Sequence, residues 1–186
     1  MSGLASSGQL RMAYARCALF TVPTVVLLGL LSGALSNSGE SNRWYALLDK
    51  PWFQPPGWVF PVAWTGLYIM LGFAAALILN ARGSRYRGMA LALFAVSFAL
   101  NLCWSPLFFG MHKITAALLL IIAMFGVALA TTVIFGRVRT TAAWLMVPYL
   151  AWLCFAAVLN RETIRLNPGA EALVVEATGT QIDIRR

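Results

Sequence analysis

Five stretches of this chain, each 18 residues or longer, contain no Lys, Arg, Asp or Glu: residues 17–35, 59–79, 89–109, 114–135 and 142–159. About 20 residues rising 1.5 Å each cross the ~30 Å hydrocarbon core of a bilayer, so each stretch reads as a membrane span. Inside hydrocarbon every backbone N–H and C=O needs an internal partner, which leaves only helices and closed barrels. Barrel strands alternate polar and apolar residues over about 10 positions, whereas LALFAVSFAL and ITAALLLIIAMFGVALA are apolar on all sides. The expected fold class is all-α and integral to the membrane: a five-transmembrane-helix bundle within residues 1–165, then a polar tail, 166–186. In that tail VVEATGTQIDI has strand character, but an isolated strand is marginal, and disorder is expected.

Only 11% of the residues are charged and 60% are hydrophobic, against about 25% charged in a soluble domain. A water-facing globule is excluded. The first apolar run is longer than the ~7–15-residue core of a secretory leader, so it is expected to remain as a span. Short connections predict that the second to fifth spans pack as antiparallel neighbours, and an odd count puts the termini on opposite sides. The net charge of +8 sits in short breaks between spans and forms no basic block, so nucleic acid is not an expected partner. Seven bases and no acid lie on the N-terminal side: Arg11, Arg16, Arg82, Arg85, Arg87, Arg137 and Arg139. The other side holds all six acids and, near the helix ends, five bases, Arg43, Lys50, Lys113, Arg161 and Arg165. By a narrow margin this favours an N-terminus inside.

The one long connection, 36–58, reads SNSGESNRWYALLDKPWFQPPGW, and from Trp44 onward it holds three Trp and three Pro. Prolines restrict the backbone and Gly57 suits a tight turn, so the segment reads as a shaped lid. An aromatic belt at headgroup level is the competing reading of composition alone. Seven Trp in 186 residues recur with other groups at helical spacing. Trp64 and Tyr68 share a face of the second span, with Pro61 a turn earlier; Trp144, Pro148 and Trp152, continued by Phe155 and Ala156, stripe the fifth. Ser97, Asn101 and Ser105 form a polar line on the third, with Trp104 beside it. Two aromatic walls, a polar line and a lid outline a cavity for a large, flat, mostly apolar ligand such as a porphyrin or sterol. An Asn in lipid also commonly hydrogen-bonds a neighbouring helix, and that reading of Asn101 stays open.

Pro106 and Pro148 are expected to kink or open their helices, freeing carbonyls that neighbours must satisfy. Gly29 and Gly33 form a GxxxG, fit either for packing inside the bundle or for a dimer. No metal-spaced cluster, phosphate loop or nucleophile elbow is present. His112, the sole histidine, reads as an interfacial polar residue, and Cys17, Cys103 and Cys154 as small packing residues.

The runs WYALLDKPWFQPPGWVFPVAWTGLY, NLCWSPLFFG and VPYLAWLCFAAVLN followed by RLNP resemble the tryptophan-rich sensory protein/translocator protein (peripheral-type benzodiazepine receptor) family, over roughly Arg11 to Pro168. The resemblance implies a five-helix bundle, commonly a homodimer, that binds porphyrins such as protoporphyrin IX, sterols, and isoquinoline carboxamide or benzodiazepine ligands. No cofactor is implied. The implied pocket residues are Trp44, Tyr45 and Pro55 in the loop, Trp64, then Asn101 and Trp104, then Trp152 and Ala156. Trp64 and Trp152 also match the tryptophans through which some relatives promote light- and oxygen-dependent porphyrin breakdown. A sterol-recognition pattern would place a Tyr shortly after Asn160, where this chain has Arg161; that departure favours a tetrapyrrole. The expected role is capture of a tetrapyrrole for sensing, sequestration or transfer, with Arg43 or Lys50 pairing its propionates. The alternatives are porphyrin photo-oxidation and passive translocation.

Overall fold

The computed structural model describes residues 7–173. Its helices are α1 (Ser7–Leu35), the short α2 (Arg43–Leu47), α3 (Val59–Asn80), α4 (Arg87–Ser105), α5 (Ile114–Val138) and α6 (Thr140–Leu166). Five of them are long and apolar enough to cross a membrane. The spans expected from sequence are all present, and each helix outruns its expected bounds at one end or both, α3 by one residue and α5 by three. α1 starts ahead of Cys17, α4 starts at Arg87, and α6 runs on to Leu166. Apolar content marks where lipid ends, whereas a helix continues while its residues allow; NRETIR does so with Arg165 Nε donating to Glu162 Oε2 at 2.7 Å, one turn apart.

The helices pack as a ring in the order α1, α3, α6, α5, α4, closed by α4 against α1. Sequence neighbours α4, α5 and α6 pack in series as expected. α3 and α4 touch as well, through Tyr68 Oη donating to Asn101 Oδ1 at 3.0 Å and the Tyr68 and Phe98 rings at 6.2 Å, though less extensively than α3 touches α1 and α6. Lipid provides no hydrophobic drive between helices, so close contact of small residues must hold the bundle. Ala74, Ala76, Ala90, Ala117, Ala128 and Ala142 are accordingly fully buried. At the α1–α3 seam, a Cβ on Gly29 would enter the Tyr68 ring and one on Gly72 would lie 2.6 Å from Val22 Cα. Thr21 Oγ1 donates to Gly72 O at 2.8 Å across the same seam. The GxxxG of α1 therefore serves packing inside the bundle, and only through Gly29, since a Cβ on Gly33 meets nothing nearer than Ser38 Oγ at 3.8 Å.

Large apolar side chains such as Leu19, Phe20, Leu119 and Trp144 face outward. Cys103 and Cys154 are exposed on the same outer surface, so they are not the interior packing residues the sequence suggested. Pro106 opens α4 into a π-helical turn, Pro106–Gly110. Lacking an N–H, Pro106 leaves the Leu102 carbonyl free, and Ser32 Oγ on α1 donates to it at 2.6 Å.

The connection after α1 turns at Asn37 and Gly39, both at positive φ, and folds onto the end of the bundle through α2. Asn42 caps α2, accepting from Tyr45 N at 3.0 Å, and its Nδ2 donates to Phe109 O at 3.2 Å. The start of the tail meets it there, which corrects the expectation of disorder from 166 onward. Asp49 N donates to Asn167 Oδ1 and Asn167 Nδ2 to Asp49 O, both at 2.8 Å. A 3₁₀ turn, Ala170–Ala172, follows Gly169 at φ +90, and Trp44 Nε1 donates to Ala170 O at 3.0 Å. The VVEATGTQIDI segment lies outside the described residues.

Glu171 Oε1 accepts from Thr115 N at 2.7 Å, so the tail caps α5, whose own N-cap Lys113 makes no side-chain cap. That hydrogen bond holds the Glu171 pKa below its usual value. Stability from a lowered carboxylate pKa is present above the ordinary glutamate value, about 4.3, and lost as pH falls through the native one. Amide exchange at Thr115 is expected to be faster in E171A than in the native chain at neutral pH, and the difference to close on acidification. An acid-insensitive difference would contradict the cap.

Candidate functional site

Two aromatic clusters lie one above the other. The first is in the bundle, where Trp64 stacks on Tyr68 with ring centroids 5.3 Å apart and meets Trp152 edge-on at 6.2 Å. Tyr149 approaches Trp64 at 6.5 Å, and Phe60 and Phe155 flank Trp152. Trp104 and Ala156 pack, as Trp64 and Trp152 do, against the hydrophobic core of the bundle. Of the expected set, Trp64 and Trp152 are brought into ring contact by α3 and α6.

Asn101 sits beneath that cluster as a tie between three helices. Its Oδ1 accepts from Tyr68 Oη at 3.0 Å and its Nδ2 donates to Tyr149 Oη at 3.4 Å. This is the interhelical role left open from sequence, and an amide with two donors and two lone pairs still has one of each for a ligand. Ser97 is buried one turn away on the same line.

The second cluster joins loop, π turn and tail: Trp44, Leu48, Phe108, Ile114, Ala117 and Ala170. Trp44 is 1% exposed; its ring stacks on His112 at 4.4 Å and meets Phe108 at 5.6 Å. Trp44 therefore anchors the lid, apart from the Trp64–Trp152 cluster. His112, at φ +57 in the α4–α5 turn, is part of this anchor. Tyr45 meets Phe109 at 5.2 Å, and burial pushes its hydroxyl pKa up. Pro55 is half-buried and belongs to neither cluster. Lys50 Nζ lies 4.8 Å over the Tyr45 ring and donates to the Tyr45 and Leu48 carbonyls, each at 3.0 Å; most of its donors are spent on shaping the loop.

Trp104 packs against both the bundle core and the second cluster, stacking on Phe108 at 5.0 Å. Among the described residues three buried side-chain polar atoms lack a hydrogen-bond partner: Trp104 Nε1, Asn160 Nδ2 and Asn160 Oδ1. Asn160 is 4% exposed, and on α6 it lies between Ala156, packed on the bundle core, and Ile164, packed on the second cluster. Leaving such groups unpaired away from water costs about 1–3 kcal/mol each. They are the polar contacts this junction can offer a guest.

Asn160 was missed from sequence, and the signal for it was there. Trp152, Ala156 and Asn160 are spaced by four, as are Trp144, Pro148 and Trp152. At 3.6 residues per turn each step of four drifts by about 40°, so the stripe spirals off one face. Its start faces outward, with Trp144 68% exposed and Pro148 exposed, and its end faces in at Asn160. Trp144 and Pro148 do not wall the cluster.

Outside the ring, α3 and α6 leave an apolar groove of about 450 Å³ whose lining includes Leu67, Met70, Ala151 and Trp152. Trp152 borders both groove and cluster. Among the described residues no group of three His, Cys, Asp or Glu could hold a metal ion.

Residues 20–166 match the TspO/MBR family. The chain is 43% identical over 138 residues to the tryptophan-rich sensory protein of Cereibacter sphaeroides, covering 73% of this chain and 85% of that protein. Protein CrtK of Rhodobacter capsulatus is 36% identical over 145 residues, covering 77% and 91%. The translocator protein of Homo sapiens is 39% identical over 144 residues, covering 76% and 85%. With five apolar spans, a Trp-rich lid and similarity to these proteins over about three quarters of its length, the chain belongs to the TspO/MBR family of multi-pass integral membrane proteins.

Proposed function

We propose that this protein captures a tetrapyrrole of the protoporphyrin IX type at the junction of the two aromatic clusters, for sensing, sequestration or transfer. The observation that carries this reading is the pairing of a Trp64–Trp152 aromatic wall with unpartnered polar atoms on Trp104 and Asn160. A flat macrocycle supplies π faces for the indoles, each contact worth about 0.5–1.5 kcal/mol beyond area burial. Its ring nitrogens and propionates supply partners for N–H and amide groups. The apolar α3–α6 groove beside Trp152 suits a ligand arriving from the bilayer. A sterol is the second ligand class on the same grounds, with fewer π faces to use.

Titration of protoporphyrin IX against the purified full chain tests the reading. W64L/W152L is expected to weaken affinity roughly tenfold, two stacking contacts' worth, while W144L, outside the cluster, leaves it unchanged. Equal affinities in all three would remove the pocket. The contact of Trp64 with Trp152 at 6.2 Å also supports a second reading, light- and oxygen-dependent breakdown of the bound porphyrin. Illumination in air separates the two: a binder's porphyrin bleaches no faster than in W64L/W152L. A homodimer is proposed on the exposed small residues of α4, Ala92, Ala95 and Ala99. The mass of the solubilised protein tests it.

A further inference from the structure

At the end of the bundle opposite the lid, α1, the α3–α4 turn and the α5–α6 junction enclose a cavity of about 870 Å³ lined by Arg16, Arg82, Arg137 and Arg139. The four arginines come from three segments far apart in sequence, so the fold assembles them. Among the described residues the guanidinium groups of Arg16, Arg82 and Arg139 make no hydrogen bond or ion pair. Arg137 lies 5.6 Å over the Tyr86 ring, which leaves its N–H edges free. The four acids among the described residues, Glu40, Asp49, Glu162 and Glu171, all lie at the other end. That separation, about the ~30 Å of a bilayer core, exceeds the ~8 Å Debye length several-fold, so among the described residues no acid serves the cavity as a counter-ion.

Helix dipoles do not account for the cluster. The C-termini of α3 and α5 meet here, and each presents about half a negative charge; the Leu79 carbonyl at one of them is already taken by Arg87 Nε at 3.2 Å. The N-termini of α4 and α6 lie at the same end and offset those partial charges with about half a positive charge each, so helix ends do not neutralise the four cations. Convergent guanidinium forks in a concavity favour an oxyanion that accepts bidentate hydrogen bonds. Ala13, Cys17 and Val138 give the same cavity an apolar side, and α1 continues from it into the membrane.

We propose that this cavity is a binding site for the phosphate group of an anionic phospholipid, held by Arg16, Arg82, Arg137 and Arg139 with its acyl chains along α1. A free phosphate shares the headgroup chemistry but has no use for the apolar side.

The test uses the full chain in nanodiscs of phosphatidylcholine doped with phosphatidylglycerol, with lipid co-purifying after extraction counted by native mass spectrometry. Phosphatidylglycerol is expected to be retained over phosphatidylcholine. In R82Q/R139Q that retention is expected to fall about tenfold, and in R161Q/R165Q, which removes two charges at the other end, it is expected to stay. Unchanged protoporphyrin titration shows that R82Q/R139Q is folded and reports on a different site. Equal retention of the two lipids, or equal loss in both double variants, would overturn the proposal. Saturation of the site by inorganic phosphate at millimolar concentration in lipid-free detergent would assign it to a soluble anion and overturn the lipid assignment.

Discussion

Replacing Gly29 by alanine is expected to destabilise the bundle by about 1–3 kcal/mol, the usual cost of forcing a group into a packed interior. The new methyl enters the Tyr68 ring, so either α1 withdraws from α3 or Tyr68 leaves its place. Withdrawal strains the Thr21–Gly72 bond beside it. Displacement of Tyr68 unties Asn101, whose Oδ1 accepts from the Tyr68 hydroxyl, and removes the ring on which Trp64 stacks. A seam residue two helices away from Trp152 thus controls the aromatic wall. Thermal unfolding in detergent, followed by near-UV circular dichroism, measures both effects. Gly33→Ala, whose methyl meets only Ser38 Oγ at 3.8 Å, is expected to match the native protein. Equal midpoints for the two variants would show that the seam yields without cost.

Asn160→Leu is expected to act in opposite directions on stability and on binding. The amide is buried with both polar atoms unpartnered, so an apolar side chain of similar volume removes a desolvation cost of about 1–3 kcal/mol. The melting temperature of the ligand-free protein should rise. Affinity for protoporphyrin IX should fall, since a polar edge of the ligand then meets a methyl group in place of a donor and an acceptor. Trp104→Phe removes only Nε1–H and should show the same pattern more mildly. A gain in stability with unchanged affinity would make Asn160 a packing residue and detach it from the pocket. Such a trade, stability given up to keep a polar group dry, is common where binding is selected.

The difference between these residues and those found by motif lies in geometry. Trp64, Trp152 and Trp104 stand out in the sequence because indoles are rare and their spacing is helical. Asn160 is an ordinary amide on an ordinary helix, and its burial depends on how far the α6 stripe has turned by the time it reaches the lid. Trp44 shows the converse. As a loop tryptophan it reads as a ligand contact, yet the start of the tail returns to the loop and takes its indole N–H at Ala170. No local signal in RLNPGAEA foretells that docking, because Asn167, Ala170 and Glu171 act on residues more than 50 positions away. The less extensive α3–α4 contact is of the same kind. A short turn makes two helices sequential, but side-chain volume decides which helices can lie close. Gly72 of α3 lets the Val22 backbone of α1 come close.

By itself the sequence determined the class of solvent, the number of spans and the helical state of each. Those follow from the lack of charge over 18 or more residues and from the need to pair every backbone group inside hydrocarbon. Both are local conditions, readable without knowing what touches what. The tertiary structure alone decided the ring order, the seat of the lid, and the convergence of four arginines in one cavity. It also decided which aromatic residues face the site. These depend on the phase of each helix about its axis, and small residues such as Gly29 and Gly72 set that phase only when a partner helix is in place.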